Sequence, residues 1–348
     1  MSEKKIKVSI VVPVYKVEKY LNKSMEALIN QTLEEIEIVC VNDGSPDNCL
    51  QILKQYQINY PNKNIKIIDK KNQGVWKARF DGILAATGEY IGFVDPDDYI
   101  TLDFAEKLYN AAQTTGAEIV VCGFQRQDIE TGHIYSTEMT QFDGKTIEMD
   151  KNPEDTISIN TALWNKLYKT ELLKNMPDLP NPPRTHEDVM FLLLIYLNTK
   201  KITFIKDALY YYMVRQDSAM STIKKEEIQL TQNAMLDVKA IYEKQADEKF
   251  IQIIDAMAFL HFGISLMFRV SADQTSNFKE ELKKNKNYLD TNFSTWRKTH
   301  YLKLLYCIKH KSNTKVAIMR IIYKTGLFRL FIKIYNFMIN KLKIDIKW

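Results

Sequence analysis

The chain opens with a continuous apolar run, Val8–Val14, followed by Tyr20–Asn30, where Tyr20, Leu21, Ser24, Met25, Leu28 and Ile29 share one face at helical spacing. The alternation then repeats. Apolar runs at Ile36–Val41, Ile65–Asp69, Tyr90–Val94 and Glu118–Phe124 are separated by helical periods at Asn48–Tyr60, Val75–Ala86 and Leu102–Gln113, the last preceded by Thr101 as a candidate cap. Short strand runs alternating with amphipathic segments predict βαβ units and an α/β fold with a mixed, mostly parallel sheet flanked by helices. Two more β-like runs, Ile202–Lys206 and Leu209–Val214, close this part. No proline follows Pro183 and only Gly263 and Gly326 interrupt the rest, so the remainder is expected to be helical. The boundary is placed near Thr222, giving an α/β domain at 1–222 and a helical C-terminal extension at 223–348.

At 348 residues, with 45% hydrophobic and 26% charged residues and a mean hydropathy of −0.29, the composition is that of a folded, ordered protein, which a soluble enzyme fits, and excludes disordered or collagenous classes. Cys40, Cys49, Cys122 and Cys307 are far apart and form no CxxC, so neither a zinc site nor a disulfide framework is expected and a cytoplasmic setting is. Val8–Val14 is too short, and broken by Pro13, for a signal segment. No uninterrupted apolar stretch reaches about 18 residues, so no membrane-spanning helix is expected. The net charge of +5 is unevenly placed: Lys315–Trp348 carries eight Lys or Arg against Asp345 alone, in a basic amphipathic pattern. That segment reads either as peripheral attachment to the anionic inner face of the plasma membrane, or as a helix pair packed on the domain or on a second copy in a homodimer. No recognition module accompanies these cations, so no nucleic acid is expected as partner.

Candidate chemistry gathers where apolar runs end in acids. Tyr90–Val94 runs into Asp95-Pro96-Asp97-Asp98, three carboxylates within four residues, a crowding that is costly without a cation. Ligands of open α/β sheets bind at the carboxyl ends of strands, where Asp95 and Asp97 could offer oxygens to one hard ion, Mn2+ or Mg2+; the alternative is a polar turn that caps the next helix. Ile36–Val41 likewise leads into Asn42-Asp43-Gly44-Ser45, and the two acidic ends are expected side by side. Asp43 then either accepts from a nucleobase N–H or ribose hydroxyl, or forms an ordinary turn. Between them, Lys70–Arg79 brings Gly74, which would let backbone approach a ligand, and several cations, of which Arg79 could contact phosphate unless the run is merely a solvated face. Trp164 either stacks on an acceptor sugar or packs. His186 lacks a second histidine four residues on, which excludes a zinc-protease pair and leaves a loop or acceptor-site residue.

In series, Val8-Ser-Ile-Val-Val-Pro-Val-Tyr15, Val41-Asn-Asp-Gly-Ser45, Asn72-Gln-Gly74 with Ala78-Arg79, and Phe93-Val-Asp-Pro-Asp-Asp98 resemble the signature blocks of family 2 glycosyltransferases, over roughly residues 6–222. The resemblance implies a GT-A fold, a UDP-sugar-like donor, a divalent metal and inversion at the anomeric carbon. It divides the domain into a nucleotide-sugar half, about 1–115, and an acceptor half, about 116–222. It places Pro13, Tyr15, Asp43, Lys70, Gly74, Arg79 and Asp95 around the donor nucleotide and Asp97 on the metal. Glu187-Asp188 matches the block that holds the catalytic base: inversion needs one carboxylate that deprotonates the acceptor hydroxyl, here Asp188, with Glu187 as acceptor contact or loop anchor. Acids in a first helical turn also favour the macrodipole on their own. Arg215, in a stretch similar to the closing segment Tyr210–Ser221, would stabilise charge on the diphosphate. No histidine follows it as a further metal ligand, so diphosphate and water would complete the shell around Asp97. The Q-x-x-R-W block of processive relatives is absent, which implies one sugar per visit. A glycan or polyprenyl-linked oligosaccharide acceptor in surface polysaccharide or capsule assembly follows by analogy. Two alternatives stand beside this. A sugar nucleotidyltransferase would need a glycine-rich basic loop where Pro13-Val-Tyr-Lys16 stands, and a degenerate nucleotide-sugar-binding scaffold is opposed by intact Asp97 and Asp188.

Overall fold

The computed structural model describes residues 5–215, 225–245, 247–272, 277–310 and 312–342. The chain divides into two compact units, 1–151 with 160–216, and 152–159 with 217–348. The expected boundary near Thr222 lies outside the described residues. That 152–159 belongs with the second unit has no signal in the sequence.

The first unit is built on strands β1 Val8–Val14, β2 Ile36–Asp43, β3 Asn64–Lys70, β4 Tyr90–Phe93, β5 Tyr99–Ile100, β6 Ile119–Asp128, β7 Ile134–Glu138, β8 Thr146–Glu148, β9 Lys166–Lys169 and β10 Lys201–Val214. Its helices are α1 Glu18–Ile29, α2 Cys49–Asn59, α3 Val75–Ala85, α4 Phe104–Thr115, α5 Thr170–Lys174 and α6 Glu187–Tyr196. The strands form one mixed sheet in the order β3-β2-β1-β4-β9-β6-β10-β5, with β7 on β6 and β8 on β10. β3, β2, β1 and β4 are all parallel, which suits β1 and β2, buried along their whole length by helices on both faces.

The register decides what meets at one edge. Parallel β2, β1 and β4 bring Asp43 and Asp95 to the same carboxyl edge, but β1 runs between β2 and β4, so the two acidic ends are not side by side as expected. β9 is antiparallel to β4, so its first residue, Lys166, enters at that edge. β6 is antiparallel to β9, and β10 parallel to β6, so β10 also ends there, at Val214, with Arg215 next in the chain. The two expected runs at 202–206 and 209–214 are a single strand with irregular register between Phe204 and Tyr210. Thr101 does not cap α4: its hydroxyl donates to Asp103 Oδ1 at 2.6 Å, and Asp103 holds the cap position.

The second unit is helical: α7 Lys225–Gln245, α8 Glu248–Ala258, α9 Met267–Ala272, α10 Phe278–Asn292, α11 Leu304–Lys309, α12 Thr314–Lys324 and α13 Phe328–Leu342, with a π-helical stretch Phe259–Leu266 joining α8 to α9. The joined helix Glu248–Ser271 runs for 24 residues and holds a stretch of mean hydropathy 1.7, long and apolar enough to cross a membrane by length and composition although charges interrupt it in the sequence. Two thirds of that stretch is buried inside the unit, where Phe259 stacks on Trp296 at 4.6 Å, so its apolarity builds a core. All four cysteines are free and buried.

Candidate active site

The segment after β4 treats its three aspartates differently. Asp98 is a buried structural tie: Met213 N–H donates to Oδ1 and Tyr210 O–H to Oδ2, each at 2.8 Å, while Asp95 N–H donates to the same tyrosine oxygen at 3.1 Å. Burial first, then the charges of Asp97 and Asp95, raise Asp98 well above the usual carboxylate range. Fixed by β10 in this way, the turn presents Asp95 and Asp97. Burial also raises Asp95, to about 6, with Asp97 and Asp188 adding to the rise and Arg79 opposing it. Asp97 is ion-paired with Arg215, whose guanidinium lies 4.9 Å from the Tyr20 ring centre.

Opposite them stands the first turn of α6. His186, just before it, holds a left-handed backbone (φ 59°), strain that tends to collect at functional sites. The rest of α6 is apolar and buried, and Phe191 packs edge-on against Trp76 at 5.0 Å, Phe80 at 5.5 Å and Phe93 at 5.9 Å. Trp76, Arg79 and Phe80 share one face of α3, so the rings that grip Phe191 also set Arg79 against the residue one turn earlier on α6, Asp188. Arg79, only 3% exposed, reaches Asp188 Oδ1 at 2.6 Å, Glu187 Oε1 at 3.7 Å and Asp95 Oδ1 at 3.4 Å. Burial alone would lower its pKa, but Asp188, Asp95 and Glu187 outweigh that and raise it. Glu187 is pushed up by burial and then by the neighbouring Asp188 charge, which makes Glu187 the member of the pair drawn toward the neutral form.

The loops beside this edge are locked to one another. Asp43 spends both carboxylate oxygens on backbone, accepting Gln73 N–H at 2.9 Å and Gly74 N–H at 2.8 Å. Gly44 and Gly74 take φ of 63° and 90°, and a Cβ on Gly44 would meet Asn72 N at 2.7 Å, so glycine there is needed for the close approach of the two loops. Ser45 Oγ accepts Lys16 N–H at 2.7 Å and donates to Asp47 Oδ1 at 2.6 Å, while Asp47 Oδ2 accepts Glu18 N–H at 3.1 Å. Burial opposes it, yet these bonds hold Asp47 at about 2.

The model for "Glycosyl transferase family 2" matches residues 9–177. Glycosyltransferase GlyG of Streptococcus pneumoniae is 32% identical over 62% of this chain and 73% of its own length. Poly(ribitol-phosphate) beta-glucosyltransferase of Bacillus spizizenii is 32% identical over 75% of this chain, which spans only 41% of that longer protein. The chain is a family 2 glycosyltransferase. Residues 1–349 of S. aureus TarS, solved with UDP-GlcNAc, superpose with a TM-score of 0.70 at 22% identity, covering 92% of both chains, and establish the GT-A-like fold.

Within this glycosyltransferase the residues singled out from the sequence divide. Asp95, Asp97, Arg79, Glu187, Asp188 and Arg215 converge through the ion pairs above. Pro13 and Tyr15 end β1 at the same edge, with Tyr15 exposed and Lys16 Nζ 5.2 Å from its ring. Three of the expected residues are held by other groups of the chain. Arg79 is buried among carboxylates. Lys70 is paired with Asp81 on α3. Trp164, 6% exposed, stacks on Tyr210 at 4.2 Å and meets Phe124 edge-on at 4.8 Å, so it packs and is not presented to an acceptor.

Sequence reasoning missed Lys166 in the same block. Fully buried, its Nζ donates to Asn160 O at 2.9 Å, Asn160 Oδ1 at 3.1 Å, Ala162 O at 2.6 Å and Asn165 Oδ1 at 2.7 Å. Burial lowers it to about 7, with Cys122 and Asp188 opposing. Asp178 was missed too: it takes Trp76 Nε1–H at 2.9 Å and pairs with Lys77, pinning the proline-rich loop to α3. Asp178 gave no signal because Trp76 and Lys77 lie 102 and 101 positions away, whereas the acceptors of Lys166 are its near neighbours and only burial sets it apart.

Among the described residues, no group of three or more His, Cys, Asp or Glu is arranged to enclose an ion. A hard divalent ion at Asp97 would draw one carboxylate from the protein and the rest of its shell from phosphate and water, a donor set that suits Mg2+ or Mn2+.

Proposed function

We propose that the enzyme is an inverting, metal-dependent hexosyltransferase that uses a UDP-sugar-like donor. The observation that carries this is that one buried guanidinium, Arg79, holds Asp95 from the end of β4 together with Glu187 and Asp188 from α6, while Asp97, two residues on, is held by Arg215. Asp188 takes the proton of the acceptor hydroxyl as its oxygen forms the bond to C1, and the C1–O bond to the diphosphate breaks on the opposite side with its electron pair leaving on phosphate. Arg79 aims Asp188 and ties it to Asp95 on the donor side, a positioning function. Arg215, held beside Asp97, would meet the charge gathering on the diphosphate. A Mn2+ or Mg2+ at Asp97, when bound, would neutralise the leaving group. Asp43 holds the Gln73–Gly74 amides in place beside the nucleotide, and Tyr15 offers it an exposed ring.

The acceptor is a glycan or polyprenyl-linked oligosaccharide in surface polysaccharide assembly on the cytoplasmic side of the membrane. Support comes from the relative named for poly(ribitol-phosphate). The test is nucleotide release from UDP-, GDP- and dTDP-sugars with Mn2+ or EDTA, for wild type, Asp97→Ala and Asp188→Asn. Slow metal-dependent hydrolysis of one sugar nucleotide, lost in Asp97→Ala, is the expected result. No turnover and no metal-dependent binding of any of them overturns the donor site.

A further inference from the structure

Among the described residues of the second unit, every markedly exposed large apolar side chain lies between Leu305 and Phe337, and none occurs in 225–304. The densest group is on α13, which has two apolar faces. Phe328 and Ile332 are buried in the unit, and Tyr335 packs edge-on against Phe268 at 4.7 Å. Away from that face, Leu327, Leu330, Ile334 and Phe337, at spacings of three, four and three, are each more than half exposed. A continuous apolar ridge of this kind is unfavourable in water and marks an interaction surface. Arg329 and Lys333 are exposed on the same helix and Lys324 near the end of α12, and residues 312–342 contain no Asp or Glu.

We propose that the Leu327–Phe337 ridge of α13 is a docking surface for an anionic lipid bilayer, into whose headgroup boundary the four apolar side chains insert while Arg329, Lys333 and Lys324 meet lipid phosphates. The opposite face of α13 is already buried, so the helix presents one apolar face flanked by cations. A second copy across the ridge would set the same cations against each other with no acid in 312–342 to offset them. Anionic headgroups satisfy the cations, and the acyl boundary takes the ridge without asking for hydrogen bonds. The inference is independent of the sugar-transfer reading.

The full chain is sedimented with vesicles of phosphatidylcholine alone and of an equimolar mixture with phosphatidylglycerol, with circular dichroism confirming fold. The wild type is expected to co-sediment with the mixed vesicles only, and to be released by high salt. Arg329→Gln and Lys333→Gln together should weaken binding by about fivefold per cation, and Leu330→Gln with Ile334→Gln should abolish it, whereas Leu84→Gln, an exposed leucine of α3, should change nothing. Absence of wild-type binding, or retention of it in the Leu330/Ile334 pair, overturns the proposal. So does a dimer that this pair converts to monomer without any vesicle binding, which assigns the ridge to a second copy. Binding to soluble polyglutamate as strong as to vesicles and indifferent to the apolar pair assigns it to an acidic polypeptide, and also overturns it.

Discussion

Asp255 in the helical unit and Asp188 in the sheet unit are both acids held against a cation, yet they are finished differently. Asp255, fully buried, receives Lys239 Nζ at 3.1 Å on Oδ1, and Thr295 N–H at 2.9 Å and Thr295 Oγ–H at 2.6 Å on Oδ2. Each oxygen has what it needs, and the other acid that reaches this cation, Glu243, stands off at 3.9 Å and more than half exposed. Asp188 shares one guanidinium with Glu187 and Asp95, and is a quarter exposed. The first arrangement stores stability. The second keeps acids crowded and under-compensated, which costs stability and leaves capacity for a ligand.

If that contrast holds, the two aspartates must fail in opposite ways. Asp188→Asn should lower turnover by about 10³-fold or more, the scale of a lost general base, while the melting temperature stays level or rises because one crowded charge is gone; calorimetry beside product formation reads both. Asp255→Ala should cost about 3 kcal/mol by stranding Lys239 and the Thr295 donors, visible as a lower urea midpoint, with activity per folded molecule unchanged. A drop in specific activity there would break the comparison.

Lys166 sharpens it from the basic side. With its pKa lowered from 10.5 to about 7 by burial, the folded form binds its proton less tightly than the unfolded chain, so its contribution to stability is present above pH 10.5 and is lost as pH falls toward 7. Stability of the wild type should therefore rise between pH 7 and 10, and Lys166→Met should flatten that rise while costing about 2 kcal/mol overall through its orphaned oxygen partners. Arg79→Lys is the mildest change: one ammonium cannot span Asp188 and Asp95 together, and turnover should fall about tenfold with the donor KM little altered. A raised donor KM with unchanged turnover would move Arg79 back to the nucleotide.

Strands β1 to β4, β6 and β10, the first four helices and the acidic strand ends were legible because they rest on local periodicity and on short runs whose chemistry shows in the residues themselves. Arg79 was legible as important but not in its target, since Asp188 lies 109 positions away and only the ring cluster around Phe191 brings them together. Trp164 was ambiguous for the same reason: the tyrosines that cover it come from β10. β9 was hidden in a four-residue motif, and the long core helix in scattered charges such as Asp255 and Arg269, which break an apolar run in sequence but not the helix in space.

The segment 152–159 carries a consequence for how the protein is made. It packs on α8, with Glu154 accepting from Tyr306 O–H at 3.1 Å and Ser158 from Asn313 Nδ2 at 2.9 Å. All of those partners leave the ribosome later. At roughly 5–20 residues per second, the sheet unit is complete in the nascent chain some seconds before this stretch has anything to fold against. Pro153 and Ile157, buried in the finished molecule, are an apolar loose end for that interval. A polypeptide stopped just after β10 would keep that loose end for good, so premature termination is expected to yield an aggregation-prone product despite a fully synthesised sheet.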